Sequence, residues 1–190
     1  SSGKSSLFQA ILYALGLEEL LGGKNEKTMQ SVLKDQVEFP DSDFHKILQS
    51  EVYLEIENNE AITVRRSIIS PTSSPKLVTV YYGKLLTGDN KNLKKQSMFI
   101  HDKGGASDDI YGFHAFLSEF LGWNMPEVMN NQGQSSHLYI QQIAPTFMIE
   151  QKSGWSDFFA TMPYYGIKQA TSRIIEYILN MDVFENQRKK

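Results

Sequence analysis

Cysteine is absent from this 190-residue chain, which removes disulfides and any thiolate metal site. Also missing are a signal peptide, an apolar run long enough to span a bilayer, an internal repeat and any low-complexity block. An intracellular, soluble protein with no membrane partner is the expectation. Charge of neither sign is in excess. At a formal net charge of -3 the whole chain is not an electrostatic nucleic-acid binder, so such a role falls to a local patch. The candidates are Lys91, Lys94 and Lys95, the pair Arg65-Arg66, and Arg188-Lys189-Lys190, each of which reads more readily as a solvated surface run. His45, His101, His114 and His137 are scattered, without H-x-x-H or carboxylate spacing, so no metal site is assigned to them. What is plentiful is apolar material: 41% hydrophobic residues suit a substantial core, for one domain or one lobe of a larger one.

The chain opens with Ser1-Ser2-Gly3-Lys4-Ser5-Ser6, followed at once by Leu7-Phe8-Gln9-Ala10-Ile11-Leu12. Gly3, Lys4 and Ser5 match the last three fixed positions of the phosphate-binding pattern G-x-x-x-x-G-K-[ST]. In that pattern backbone N–H groups cradle phosphates, the lysine reaches the β/γ oxygens and the hydroxyl ligates Mg²⁺. Ser-Ser-Gly also occurs in expression linkers, and short G-K-[ST] matches arise by chance. The following helix favours the phosphate loop: Leu7, Phe8, Ile11, Leu12 and Leu15 recur at helical spacing as a broad apolar face, with Gly16 as the stop. A helix N-terminus is what such a loop needs to hold an anion. The first glycine and its strand would precede residue 1, so the chain is expected to be a fragment.

Beyond Gly22-Gly23 the sequence reads as a polar connector. Val52 to Glu57, the turn Asn58-Asn59-Glu60, and Ile62 to Ile68 then alternate as a hairpin, with Pro71 and Pro75 punctuating its end. A third strand is expected over Lys76 to Tyr82, a charged loop over Gly88 to Lys95, a short strand over Ser97 to His101, and a helix from His114 to Leu121. Leu138-Tyr139-Ile140 looks strand-like, and Phe147 to Gln151 reads as a strand ending on a polar residue. Ile167 to Met181 reads as a helix with Ile174, Ile175, Ile178 and Leu179 on one face, and Asp182 caps a further helix, Val183 to Lys190. This order describes an α+β lobe rather than a βαβ succession.

Taken in order, the G-K-S-S-L-x-x-A-I run at Gly3 to Ile11, the Val64-Arg65-Arg66 strand, the stretch ending at Gln151, and Leu179-Asn180-Met181-Asp182-Val183-Phe184-Glu185 resemble the N-terminal half of the ATPase head of SMC-like (structural maintenance of chromosomes) ABC ATPases, including those of DNA double-strand-break repair. Lys152 to Asp157 also resembles SMC-like ATPases of bacterial antiphage defence operons, such as Lamassu-type systems. The resemblance implies a P-loop NTPase head lobe over residues 1–181, with a coiled-coil helix starting over 182–190. It implies an ATPase once a C-terminal lobe with the signature motif and a second copy of the head complete the site, and inactivity for this piece alone. ATP and Mg²⁺ are the implied cofactors. DNA, a second head and accessory or nuclease subunits are the implied partners, in a cytoplasmic, nucleoid-associated setting.

Residue by residue, the resemblance gives Ser1, Ser2, Gly3, Lys4, Ser5 and Ser6 to nucleotide binding. Lys4 neutralises charge on the β/γ phosphates, Ser5 ligates Mg²⁺ and Ser6 meets the α-phosphate. Gln151 is the residue that touches Mg²⁺ and water and senses the γ-phosphate, with Gln141 and Gln142 as competitors for that place. Arg65 and Arg66 meet nucleotide or DNA, or form structural pairs, and alternation puts one on each strand face. Trp155, Phe158, Phe159, Tyr164 and Tyr165 read as core beneath the glutamine loop. Two other classes remain: a different P-loop enzyme such as a small-molecule kinase, against which the antiparallel hairpin argues, and a non-catalytic interaction lobe, against which the intact Lys4-Ser5 argues.

Overall fold

The computed structural model describes residues 3–40, 43–89, 92–100, 112–149, 159 and 162–181. They form an α+β structure in two compact units, Ser1–Leu121 and Gly122–Lys190. The first holds α1 (Lys4–Ala14), 3-10 turns at Glu18–Leu21 and Asn25–Thr28, α2 (Ser31–Lys34), β1 (Gln36–Glu38), β2 (Phe44–Lys46), β3 (Ser50–Asn58), β4 (Glu60–Ile69), β5 (Leu77–Tyr81), β6 (Lys95–Phe99) and α3 (Phe113–Phe120). The second holds β7 (Glu127–Met129), β8 (Ser135–His137), α4 (Ile140–Ile143), a 3-10 turn at Ala144–Thr146 and α5 (Ala170–Ile178). Among the described residues no helix is long and apolar enough to cross a membrane.

Strands β3-β4-β5-β6 make one antiparallel meander. Period-two alternation divides its faces. Ile62, Val64, Arg66 and Ile68 on β4, Val78 and Val80 on β5 and Met98 on β6 are buried on one side. On that side α1 packs across β3 and β4 with Tyr13 against Ile68 and Met29. The other face carries Tyr53, Arg65, Thr79 and Ser97 as one row across the four strands.

The buried face contains a charge. Arg66 and Glu18 are both fully buried, and their side chains meet with Nη2 to Oε1 at 2.7 Å and Nη1 to Oε2 at 2.9 Å. The remaining guanidinium donors go to the Pro75 carbonyl at 2.8 Å, the Tyr13 carbonyl at 2.6 Å and Asn25 Oδ1 at 3.3 Å. Every N–H of the fork therefore has an acceptor. The guanidinium carbon also lies 3.9 Å from the Tyr13 ring centroid. Tyr13 donates its hydroxyl to the Ser67 carbonyl at 2.6 Å, and burial pushes that hydroxyl up to about 12. One side chain thus ties α1, both 3-10 turns and β4 together.

In the second unit Val128, Leu138, Ile143, Ile167 and Ile174 form a core, with Trp123, Tyr139, Phe159 and Tyr177 packed against it. The β7–β8 turn is closed by Asn130, whose Oδ1 accepts from the backbone N–H groups of Gln132 and Gln134, both at 2.9 Å.

Several expectations hold and several do not. The β3–β4 hairpin turns at Asn59, with φ +58, and β5 falls within the expected strand. The short strand expected at Ser97 to His101 begins earlier, at Lys95, and His101 lies outside the described residues. The connector after Gly23 instead contains two short helical pieces and the β1–β2 hairpin. Leu138-Tyr139-Ile140 is not a strand, because Ile140 opens α4 with a capping box between Tyr139 and Gln142. Phe147, Met148 and Ile149 are not a strand either: they follow the Pro145 turn, where the Phe147 and Met148 N–H groups donate to the Ala144 carbonyl. On α1 only Leu12, Tyr13 and Ala14 are buried, and Leu7 is 65% exposed. On α5 the buried line is Ala170, Ile174 and Tyr177, which leaves Ile175, Ile178 and Leu179 exposed. Tyr164 is also exposed rather than core, and Trp155, Phe158 and the segment 182–190 lie outside the described residues.

Removing one partner of the buried pair leaves the other charge dry and unmatched. Arg66→Met and Glu18→Leu should each lower unfolding free energy by about 3–5 kcal/mol. The double variant should cost less than the sum, measured as a denaturant-midpoint cycle. Additive losses would contradict the pairing.

Candidate functional site

The site is built at the two ends of α1. At its start Gly3 has φ 68 and ψ -4, left-handed, directly before the right-handed residues of the helix. A Cβ there would meet nothing within 4 Å, so conformation rather than crowding favours glycine. A left-handed residue followed by right-handed ones turns consecutive N–H groups to one side, the geometry of an anion nest. No side chain caps this helix start and no acidic residue lies in its first turn, so the positive end of the helix dipole is not neutralised by its own residues. The first carbonyl is used locally, since the Leu7 N–H donates to Gly3 at 3.0 Å.

Lys4 and Ser5 are exposed at this end. Ser6 is half-buried, and its hydroxyl donates to Gln30 Oε1, at the entry to α2. Sequence reasoning gave Ser6 to a phosphate and gave Gln30 nothing. The signal for Gln30 is weak, because its position depends on a connector with no periodic pattern. Ser1 and Ser2, assigned to the same loop, lie outside the described residues.

The far end of α1 is closed three times over. Leu17 N–H donates to the Leu12 carbonyl at 2.8 Å and Gly16 N–H to Tyr13 at 3.0 Å, the paired bonds of a Schellman stop with Gly16 at φ +68. Arg66 donates to the Tyr13 carbonyl, and His114 Nε2 lies 2.9 Å from the Leu15 carbonyl. A buried cation at the negative end of the dipole stabilises the helix without occupying its positive end. Chemically, the arrangement offers an anion a rigid set of backbone donors, with an ammonium and a hydroxyl beside them.

Gln151 lies outside the described residues. Its competitors Gln141 and Gln142 sit on α4, both buried, and Gln142 is engaged in the capping box. Arg65 and Arg66 occupy opposite faces, and each forms an ion pair. Arg65 grips Glu51 through Nε to Oε2 at 3.0 Å and through Nη2 to Oε1, which holds the Glu51 carboxyl down at about 2. Of the expected lysine patch, Lys94 lies over the Tyr82 ring and Lys95 over the Tyr81 ring, and Lys91 is outside the described residues. No cluster of three or more potential metal ligands occurs among the described residues.

Gly16→Ala would place a Cβ 2.7 Å from His114 Nε2 and 2.8 Å from Ile100 Cδ1, in a left-handed conformation. It should destabilise by at least about 1–2 kcal/mol, read as a shift in thermal midpoint. The Glu51 carboxyl is lowered in the folded state, so its contribution is full above the unfolded carboxylate value and lost as pH falls towards 2. Arg65→Gln should flatten the acid limb of the stability curve between about pH 5 and 2, because the carboxyl then titrates alike in both states. Comparison of the chain with protein-family models, with curated proteins and with solved structures gave no match, so a functional reading rests on the site's own geometry and on the sequence pattern.

Proposed function

We propose that the chain is a nucleotide-binding lobe of an SMC-like ATPase head, holding ATP and Mg²⁺ at the start of α1. The observation that carries this reading is Gly3-Lys4-Ser5 at an uncapped helix N-terminus, with Gly3 in the left-handed conformation that gathers N–H groups. The donor set fits the cofactor: backbone N–H groups and Lys4 for phosphate oxygens, the Ser5 hydroxyl for a hard divalent cation. Bound there, Mg·ATP supplies the phosphoryl group and the charge that closes the site. Hydrolysis belongs to a head completed by a C-terminal lobe and a second copy, and DNA is the partner to which the cycle is coupled. The antiparallel meander after the first helix supports this over a small-molecule kinase, which would alternate parallel strands with helices.

Lys4→Ala should weaken binding of a fluorescent ATP analogue about 10- to 100-fold, the loss expected when a charged hydrogen-bonding partner of a phosphate is removed. Ser5→Ala should leave metal-free binding nearly intact and reduce its enhancement by Mg²⁺. Unchanged affinity in Lys4→Ala would overturn the assignment. In the complete head the same lysine variant should abolish turnover.

A further inference from the structure

Ser6 has one proton to give, and the fold already uses it: the hydroxyl donates to Gln30 Oε1. Gln30 is half-buried, and its backbone is held in place. Met29 before it is buried against Tyr13 and Ile68, Leu33 after it packs on the same cluster, and the Leu33 N–H donates to the Gln30 carbonyl at 2.9 Å. The terminal amide torsion of a glutamine is soft by comparison. The Gln30 amide nitrogen donates to nothing among the described residues, so the bond to Ser6 is what fixes the amide's orientation.

Ser6 belongs to the phosphate cradle by position. It is the third residue of α1, and its N–H lies outside the helical ladder, which begins with Leu7 donating to Gly3. Side chains of the first turn lean back towards the helix start. A phosphate seated on these N–H groups presents ionised oxygens that only accept. The Ser6 hydroxyl can serve such an oxygen only by giving up Gln30 Oε1.

A carboxamide can answer that loss, because it carries an acceptor and two donor protons on one torsion. Turned over, Gln30 presents its NH2 group to the Ser6 oxygen, whose lone pairs stay open when its proton points at the phosphate. The same helix face holds a second acceptor. Gln9 lies three residues after Ser6, a surface neighbour on α1, and its Oε1 is buried with no hydrogen-bond partner among the described residues. A buried carbonyl oxygen without a donor is destabilising. The turned amide has one proton for Ser6 and one for Gln9.

We propose that Gln30 is a positioning residue of the nucleotide site, one that accepts the Ser6 hydroxyl in the arrangement described and turns its amide to support that hydroxyl when it donates to a phosphate oxygen. The proposal rests on the reading of the start of α1 as a phosphate cradle, and it adds to that cradle a residue from outside the G-K-S-S run. The probe is a fluorescent ATP analogue with Mg²⁺, titrated into the full chain. Gln30→Glu keeps the acceptor and removes the donors, so Ser6 stays committed to residue 30 and binding should weaken at least about tenfold at neutral pH. When Ser6→Ala is also present, Gln30→Glu should weaken binding by at most about threefold, the part due to like charge alone. Relative to wild type, the loss in Gln30→Glu should shrink as pH falls towards about 4, where the carboxyl regains a proton to give.

The wild-type chain gives a reading that needs no substitution. The side-chain NH2 proton resonances of Gln30 should move downfield with Mg·ATP and saturate together with the backbone amides of Gly3 to Ser6. Three results would overturn the proposal: unchanged affinity in Gln30→Glu, the same loss from Gln30→Glu with and without Ser6→Ala, or Gln30 resonances that stay still under saturating nucleotide. Circular dichroism checks the fold of each variant, and where Gln30→Glu does not fold the resonances decide. Loss of ATP in Lys4→Ala with normal binding in Gln30→Glu would remove this proposal and leave the nucleotide site standing. No binding of Mg·ATP by the wild-type chain would remove both.

Discussion

A fully buried guanidinium organises the first unit. Arg66 sits at the centre of β4 among aliphatic neighbours, where an unmatched charge would cost several kcal/mol. It is retained because Glu18, Asn25 and the carbonyls of Tyr13 and Pro75 accept all of its donors. Those acceptors come from α1, from both 3-10 turns and from the chain before β5, so the network can form only when these pieces are in place together. The end of α1, Gly16 and the first turns are set by it.

The proposed nucleotide region follows from that arrangement, and so does the placing of the second arginine. Because the negative end of α1 is satisfied by Arg66, His114 and the Schellman bonds, the uncommitted dipole is at Gly3. Because β4 alternates, the arginine next to the buried one must point the other way, onto the solvent face with Lys95, Thr79 and Ser97. Adjacent arginines therefore do unlike work. One is consumed by the fold, and the other is oriented by Glu51 with part of its fork left over.

What was legible in the sequence was local. The stop at Gly16 could be read because a Schellman glycine follows the last apolar turn, and the β3–β4 hairpin because its period-two pattern runs unbroken on both sides of Asn59. Strands β1, β2, β7 and β8 are three residues each, too short for alternation to register. The start of β6 was missed because Lys95 and Gln96, on an edge strand, look like loop. Phe147-Met148-Ile149 misled in the opposite way, an apolar run whose backbone is turned by the Pro145 segment before it. Isoleucines at both 174 and 175 hid the true buried line of α5. Least legible was the central pair itself, since Glu18 and Arg66 are joined only by the folded chain.

The central claim, that the start of α1 is a phosphate cradle held ready by a helix anchored at its other end, is tested most directly by mapping backbone amide chemical shifts during titration with Mg·ATP. The account predicts that the largest changes fall on the amides of Gly3 to Ser6, saturating together, with the amides of Tyr13 to Leu17 almost still. No change at Gly3 to Ser6 under saturating nucleotide, or changes confined to other residues, would contradict it.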